Sequence, residues 1–279
     1  MNLFRKHFYL LLLFTLFACK KDFIAFIVHT GTEQRVKESI SELLNYPEEI
    51  TVDTLNFKFA VFSDIHITEE NISYLDRFKE DVIDLGIDFF LVIGDITDNG
   101  LEIEFTLSKA DLLEVGIPYY VAIGNHDLYQ TNAWDLWKEY YGPSSYSVTI
   151  SNYLKIIFLD SASGLIGKKQ FNWLEKELKN SPGFTCLASH FPIYNGPTPS
   201  IYRITSATER YKLISLMRDY KVEAFYSGHY HAFTHTEFSG IDHFIVGSMF
   251  PHSLDEGKSG YLLVSVDNGN ISWEKIEID

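Results

Sequence analysis

The chain is poor in cysteine and in basic residues, and both shortages restrict what it can be. Two cysteines among 279 residues cannot form a disulfide framework, so stability must come from a buried core. A content of 46% hydrophobic and 15% aromatic residues is enough for one. Only 23 Lys and Arg stand against 38 Asp and Glu, a formal net charge of −15. General binding to a nucleic-acid backbone is not expected, because it needs clustered basic residues. Neither a fixed-period repeat nor a low-complexity segment forces a second domain.

Long hydrophobic runs are also scarce, and the clearest one begins near residue 8. The run at 8–17 is too short to span a bilayer but has the length of a signal-peptide core. It ends in Leu16-Phe17-Ala18-Cys19, which resembles the lipobox of bacterial lipoproteins. We therefore expect residues 1–18 to be a lipoprotein signal peptide and Cys19 to be the lipidation site. The protein would be exported and lipid-anchored to a cell membrane, in the periplasm or on the outer surface. Phe17 departs from the usual small residue, and the alternative is an ordinary secretory signal or a buried cysteine.

The second cysteine, Cys186, has no partner if Cys19 carries lipid. It lies in the apolar run Phe184–Ser189, where a buried, inert thiol is expected rather than a reactive nucleophile.

Strand and helix patterns alternate along most of the chain. Strands are predicted at 57–63, 88–94, 119–124, 146–150, 155–160, 184–189 and 222–227, and helices at 70–85, 102–114, 134–141, 169–179 and 209–220. This alternation predicts βαβ units with parallel strand pairing. Further strands at 232–238, 243–246, 261–266 and 271–278 make the last third rich in β structure. Residues 19–56, with one predicted helix at 33–44, would form an N-terminal extension before a domain at 57–279.

Polar side chains follow five of the predicted strands. These clusters are Asp64-Ile65-His66, Gly94-Asp95, Gly124-Asn125-His126-Asp127, His190-Phe191-Pro192 and Gly228-His229-Tyr230-His231. The carboxyl ends of parallel strands form the ligand crevice of an open α/β sheet, so these side chains should converge. Residues two apart on an extended segment point the same way, and imidazole with carboxylate suits zinc, manganese or iron. Any single pair could be ordinary loop, but the five together indicate a metal site. The glycines would leave backbone room beside a ligand.

In this order, the five clusters resemble the motifs of the calcineurin-like metallophosphoesterases, over about residues 57–250. The resemblance implies an α/β fold, a four-layer αββα sandwich with two mixed β-sheets and a dinuclear metal site at the strand ends. It implies two divalent metal ions (Mn, Fe or Zn). One would be bound by Asp64, His66 and His231, the other by Asn125, His190 and His229, with Asp95 bridging both.

The same resemblance implies a reaction. A small phosphodiester or phosphomonoester would be hydrolysed by attack of a metal-bridging hydroxide. His126 would act as the general acid that protonates the leaving alkoxide, and Asp127 would orient His126 or cap the next segment. The alternative is a non-catalytic metal-binding or scaffold lipoprotein that retains the phosphoesterase fold. A pure binder has no use for His126, so its presence favours the enzyme.

One position separates branches of the family. Purple acid phosphatases carry a tyrosine three residues after the bridging aspartate, whereas this chain has Asp98, so the ferric purple branch is not expected. The segment GDITDNGLEIEF at 94–105 instead resembles the bacterial cyclic-nucleotide and glycerophosphodiester phosphodiesterase branch. Export argues against cytosolic cyclic nucleotides as natural substrates. Asp98 and Asn99 would support the metal ligands or be solvated turn residues. Tyr194 and Tyr202, in the loop 190–207, would line the pocket or be solvated.

Overall fold

The computed structural model describes residues 31–42, 50–53, 55–70, 74–181, 183–194, 202–250 and 258–278. The predicted signal peptide and Cys19 lie outside these residues. The helices are α1 Thr32–Glu42, α2 Leu75–Leu85, α3 Glu102–Glu114, α4 Ala133–Tyr141, α5 Lys168–Lys179 and α6 Ala207–Asp219. The strands are β1 Asn56–Phe62, β2 Phe89–Ile93, β3 Tyr119–Ala122, β4 Tyr146–Ile150, β5 Leu154–Leu159, β6 Phe184–Ser189, β7 Ala224–Ser227, β8 Thr234–Phe238, β9 Ile241–Ile245, β10 Ser259–Asp267 and β11 Asn270–Ile278. No helix within these ranges has the length and apolarity that a bilayer span requires.

The strands form two mixed sheets. The first has the order β11-β10-β1-β2-β3 and the second the order β4-β5-β6-β7-β9-β8. Pairing is parallel from β1 to β3 and from β5 through β6 and β7 to β9, and antiparallel at the outer strands. The central strands are continuous apolar runs, because both of their faces are covered. All residues of β2 and β5 are buried, whereas the edge strand β8 is mostly exposed.

Hydrophobic cores separate the layers. The core between the two sheets is built from strand residues such as Phe59, Leu91 and Phe158. A second core lies between the first sheet and α2 to α4, and a third between the second sheet and α5 and α6. The architecture is therefore the four-layer αββα sandwich that the sequence predicted. Cys186 is a free thiol in the middle core, and burial raises its pKa to about 12, as expected for an inert cysteine.

Helix α1 is tied to the second sheet through a fully buried ion pair. Nε and Nη2 of Arg35 donate to the two carboxylate oxygens of Asp160, each at 2.8 Å, and neither side chain is exposed. The hydroxyl of Ser144 donates to the same carboxylate at 2.8 Å. Asp160 directly follows β5, so the pair fixes the N-terminal helix at the carboxyl edge of the second sheet. This part of the predicted extension at 19–56 packs directly on the domain.

Several element boundaries differ from the sequence prediction. Helix α2 begins at Leu75, after Tyr74, rather than at residue 70, and Glu69 and Glu70 form a bend. The apolar spacing that placed the start earlier counted residue 72, which lies outside the described residues. The strands predicted at 232–238 and 243–246 are Thr234–Phe238 and Ile241–Ile245.

Candidate metal centre

The polar clusters converge at the carboxyl edges of both sheets. In one group, a donor atom from each of Asp64, His66, Asp95 and His231 lies within 4.8 Å of the others. The Nε2 atoms of His66 and His231 are 3.1 Å apart, and Nε2 of His231 is 3.2 Å from Oδ1 of Asp64. Strands β1, β2 and β7 supply these residues at their ends.

A second group combines Asp95 with His190 and His229. Nε2 of His190 lies 3.1 Å from Oδ2 of Asp95 and 3.1 Å from the amide oxygen of Asn125. Nδ1 of His190 is 2.8 Å from the carbonyl oxygen of Ile93. Because a carbonyl only accepts, Nδ1 of His190 is the donor in this contact, and Nε2 is the nitrogen that faces the site. Asp95 belongs to both groups.

The surroundings of two carboxylate oxygens in the site are those expected for metal ligands. Oδ1 of Asp64 and Oδ2 of Asp95 are buried and have no hydrogen-bond partner among the described residues. A buried anionic oxygen without a donor is costly. Both oxygens face imidazole nitrogens, and this mixture of oxygen and nitrogen donors suits divalent transition metals. The two groups can therefore hold metal, and their shared member is Asp95.

Burial and the charges of neighbouring groups shift the pKa values of the site residues in opposite directions. Burial opposes ionisation of Asp64, but the charge of His231 outweighs burial and lowers the pKa of Asp64 to about 2. For His190, burial is likewise outweighed by Asp95, which raises the pKa of the imidazole to about 9. Burial, reinforced by the neighbouring His190, lowers the pKa of His229 to about 3. Without metal, His190 is thus charged at neutral pH, whereas His229 is neutral.

The ligands are held by an unusual backbone conformation. Asp64, His66, Asp95, His229 and His231 all have positive φ, between 51° and 69°. Left-handed conformations are uncommon outside glycine and cluster at functional sites. The expectation that Asp64 and His66 share a face of an extended strand is therefore wrong, since β1 ends at Phe62. Left-handed turns, rather than the pleat of a strand, bring each pair together.

Gly94 shows why a glycine precedes the shared carboxylate. Its φ is +86°, and a Cβ there would lie 2.6 Å from Nδ1 of His190 and 2.9 Å from the amide nitrogen of Gly124. A side chain would push His190 out of the site. The predicted role of this glycine, room beside a ligand, is confirmed.

His126 lies at the rim of the site, bound through its backbone and its ring. Its amide donates to Oδ1 of Asp95 at 2.8 Å, and its Nδ1 is 2.7 Å from the carbonyl oxygen of Asp98. Nε2 lies 4.0 Å from Oδ2 of Asp95, and the side chain is 26% exposed. The ring packs against Tyr129, with centroids 4.3 Å apart. His126 is thus held beside the metal groups while staying accessible from outside.

Asp98 contacts two histidines of the site, which decides between the interpretations left open for it. Its Oδ1 lies 3.3 Å from Nδ1 of His66 and 3.8 Å from Nδ1 of His126. Burial disfavours the charge on His66, but the hydrogen bond that its Nδ1 donates to the Asp98 carboxylate outweighs burial and raises the pKa of His66. Asp98 therefore orients the ring of His66 through Nδ1, while Nε2 of His66 faces the site.

Asp127 has a different role from the one predicted. Its carboxylate accepts hydrogen bonds from the amides of Ile96, Thr97 and Gly124 and from the hydroxyl of Thr97, at 2.8–3.0 Å. Among the described residues, the carboxylate of Asp127 makes no hydrogen bond to the ring of His126, and α4 begins without a side-chain cap, so its contacts show neither of the predicted roles, orienting His126 or capping the next segment. Burial, together with the charge of Asp95, raises the pKa of Asp127 to about 6. Asp127 ties together the loops that follow β2 and β3. Sequence could not reveal that a backbone carbonyl, that of Asp98, takes over the orientation of His126.

Aromatic rings surround the second group. Phe191 stacks on His229 with centroids 3.9 Å apart, and the ring of Tyr202 lies 6.0 Å from that of His229. Tyr202 also packs edge-on against Tyr230. Tyr202 therefore lies at the site, whereas Tyr194 is 56% exposed. His235 pairs with Asp242 at 2.6 Å and is not part of the site.

Comparisons with known proteins agree with this geometry. A family model described as calcineurin-like phosphoesterase matches residues 57–233, more than half of the chain. The protein named "Probable glycerophosphodiester phosphodiesterase GpdQ" of Arcobacter nitrofigilis is 34% identical over 107 residues, which are 34% of this chain and 38% of that protein. The protein named "Probable cyclic nucleotide phosphodiesterase" of Fibrobacter succinogenes is 27% identical over 108 residues, 38% of this chain and 42% of that protein. The matches therefore span about two fifths of the length of these relatives.

A solved structure shows the same fold. The purple acid phosphatase from yellow lupin seeds superposes with a TM-score of 0.64 and 16% sequence identity, covering 82% of this chain and 52% of that one. At this identity, the likeness concerns the fold alone.

Proposed function

Because the chain belongs to the calcineurin-like phosphoesterase family, as its sequence motifs indicated, we propose that it is a dinuclear metal-dependent phosphoesterase. The observation that carries this proposal is the shared carboxylate. Asp95 is a member of two of the three groups of side chains that could hold a metal, and its buried Oδ2 lies 3.1 Å from Nε2 of His190 and 3.9 Å from Nε2 of His66. A carboxylate with one oxygen facing two sets of imidazoles is suited to bridge two cations.

The remaining ligands divide between two ions. Asp64, His66 and His231 would hold one, and Asn125, His190 and His229 the other. Two divalent ions, when bound, lower the pKa of a water molecule and neutralise charge on the phosphate oxygens. The protein holds the ligands in fixed orientation, through the carboxylate of Asp98 on His66 and the carbonyl of Ile93 on His190.

His126 is the residue that moves a proton. Since its Nδ1 donates to the carbonyl of Asp98, Nε2 is the atom that carries the exchangeable proton. This nitrogen lies beside Asp95 and is reachable from solvent. It would donate to the oxygen of the leaving group as the phosphorus–oxygen bond breaks.

Phosphodiesters are the favoured substrates. Both relatives described above are named as phosphodiesterases, and the segment 94–105 resembles that branch. The segment before Cys19, which resembles a lipoprotein signal peptide, further supports an exported lipoprotein. The enzyme would then act outside the cytoplasm on small phosphoesters.

Hydrolysis of bis-p-nitrophenyl phosphate and p-nitrophenyl phosphate, with added Mn²⁺ and after chelation, tests the proposal. We expect metal-dependent turnover that is faster on the diester. A protein that binds metal stoichiometrically but hydrolyses neither ester would instead be the non-catalytic metal-binding lipoprotein. Glu139→Gln is the control for variants that replace a carboxylate of the site by an amide, because Glu139 is exposed on α4 and belongs to none of the groups that could hold a metal.

A further inference from the structure

We propose that the edge carrying the metal centre faces the bilayer that holds the acylated Cys19, and that the substrates are phosphodiesters of lipid headgroups in that bilayer. This inference rests on the proposed function and names its substrate class. Three features of the chain carry it: where the N-terminal helix is fixed, which apolar side chains are exposed beside the site, and where basic side chains gather.

The N-terminal helix is fixed at the catalytic edge. Arg35 binds Asp160 at the end of β5, and the preceding residue Leu159 pairs in register with Ser189. His190, a metal-binding residue in the proposal, follows Ser189 directly, so Asp160 and His190 leave two adjacent strands at the same level, and such strands lie about 5 Å apart. Glu33 accepts hydrogen bonds from the amides of Lys168 and Lys169 at the start of α5, on the same edge. The chain therefore enters the domain beside the metal centre.

The distance to the anchor is short. Twelve residue steps separate Cys19 from Gly31, and even a fully extended chain spans only about 40 Å over that length. Unwinding of α1 would lengthen this tether, but it would break the buried ion pair between Arg35 and Asp160 and would therefore cost free energy. A domain held this closely at one edge presents that edge to the membrane more often than the other.

Exposed apolar side chains lie on the same edge. Leu101 and Ile103, at the start of α3, are 40% and 41% exposed. They follow directly on residues 98–100, which pack against His126: Asp98 binds its ring, and a Cβ on Gly100 would lie 3.2 Å from its carbonyl oxygen. Tyr194, four residues after His190, is 56% exposed. Leu101 and Ile103 thus place exposed apolar surface next to the loop that holds His126, where it would contact an interfacial partner.

Basic side chains gather on the other flank of the site, although the chain as a whole is acidic. Lys168 and Lys169 are exposed at the start of α5. Arg210 donates to the carbonyl of Ile204, in the segment that pairs with the loop after His190. The nearby Glu209 faces inward and accepts from the amides of residues 166 and 167. Arg210 is thus turned toward backbone carbonyls, and Lys168 and Lys169 are the outward positive charges of this flank, where they would meet anionic headgroups.

The reaction follows from this placement. One water molecule is consumed per headgroup: a bond forms between its oxygen and phosphorus, and the phosphorus–oxygen bond to the leaving alcohol breaks. The leaving alkoxide takes its proton from His126, and the products are a phosphomonoester and an alcohol. A lipid headgroup carries its diester at the level of the bilayer surface, within reach of a site that faces it.

Fluorescence quenching tests the orientation. The full-length acylated protein is reconstituted in vesicles of phosphatidylethanolamine and phosphatidylglycerol that contain a lipid-borne quencher. A fluorophore is attached to Ile103→Cys or, as the matched control, to Ile271→Cys. Ile271 is 39% exposed and lies at the opposite edge, level with Phe57 through the register with Val266. The buried Cys186 and the acylated Cys19 stay unlabelled. We expect several-fold stronger quenching at position 103. Equal quenching, or stronger quenching at 271, overturns the orientation.

Headgroup release tests the substrate class, with bis-p-nitrophenyl phosphate as the measure of the proposed function itself. Protein in the same vesicles as phosphatidylglycerol and phosphatidylethanolamine should release headgroup at least about tenfold faster than protein presented on separate vesicles. Leu101→Asn with Ile103→Asn should reduce release and leave hydrolysis of the soluble diester unchanged. Leu55→Asn with Ile271→Asn should change neither. Turnover of the soluble diester without headgroup release, or with equal rates in both arrangements, overturns the inference. Loss of soluble turnover overturns the proposed function instead.

Discussion

Nδ1 of His126 lies 2.7 Å from the carbonyl oxygen of Asp98, and this contact fixes which ring nitrogen can deliver a proton. The carbonyl cannot donate, so Nε2 is left facing the shared carboxylate of Asp95. The proposed role of His126 as proton donor rests on this contact.

Replacing His126 by alanine should leave metal content unchanged and reduce turnover of alkyl phosphodiesters by about 10²–10⁴-fold. The reduction should be smaller for p-nitrophenyl esters, whose leaving group needs little protonation. Metal analysis and kcat on both ester types measure this. The control is His235→Ala, which removes an imidazole that pairs with Asp242 away from the site. Equal losses on both ester types would contradict the role of proton donor.

Replacing Asp95 by asparagine should abolish binding of at least one metal ion and, with it, turnover. The amide is neutral and cannot bridge two cations, and it leaves the imidazole of His190 without its counter-charge. Titration with Mn²⁺, followed by metal analysis, gives the stoichiometry. Glu139→Gln, the same kind of change on an exposed helix position, should keep the wild-type stoichiometry. Full metal content in Asp95→Asn would mean that this carboxylate is not shared.

Metal binding should release protons near neutral pH. Only neutral imidazole binds metal, and Asp95, against the effect of burial, raises the pKa of His190 in the metal-free protein to about 9. His190 is then largely protonated at pH 7.5 and must lose its proton, whereas His229, with a pKa of about 3, is already neutral. Apparent affinity should therefore increase with pH up to about 9. Calorimetry of Mn²⁺ binding in buffers of different ionisation enthalpy counts the protons, and a count of zero would contradict the charge placed on His190.

Removing the side chain of Arg35 should lower the free energy of unfolding by about 3–5 kcal/mol, because Asp160 would be left buried and unpaired. The double variant Arg35→Met with Asp160→Leu should recover most of that loss. Urea unfolding monitored by circular dichroism compares the three proteins. Arg218→Ala, at an exposed pair with Asp219, is the control and should change stability little. An undiminished stability of Arg35→Ala would show that α1 is not fixed by this pair.

Sequence predicted which side chains converge into groups that could hold a metal, because side-chain type and the position after a strand are both visible in it. It could not show Arg35, which looks like any basic residue on a helix and meets Asp160 across 125 positions of sequence. Nor could it show which group orients the ring of His126, since that group is the backbone carbonyl of Asp98 and every residue type has a backbone carbonyl. The role of Asp127 was mistaken for the same reason: three of its four partners are backbone amides.

The left-handed backbone at five residues of the candidate metal centre limits how this arrangement could be transferred to another protein. Each such conformation costs of the order of 1–3 kcal/mol outside glycine, and the surrounding loops must enforce it. Introducing Asp-x-His or His-x-His at the end of an unrelated strand would reproduce the sequence motif, but the two side chains would point in different directions without the left-handed backbone. A designer who wants this centre elsewhere must transplant whole turns with their glycines, and a search for related sites should compare backbone torsions as well as residue spacing.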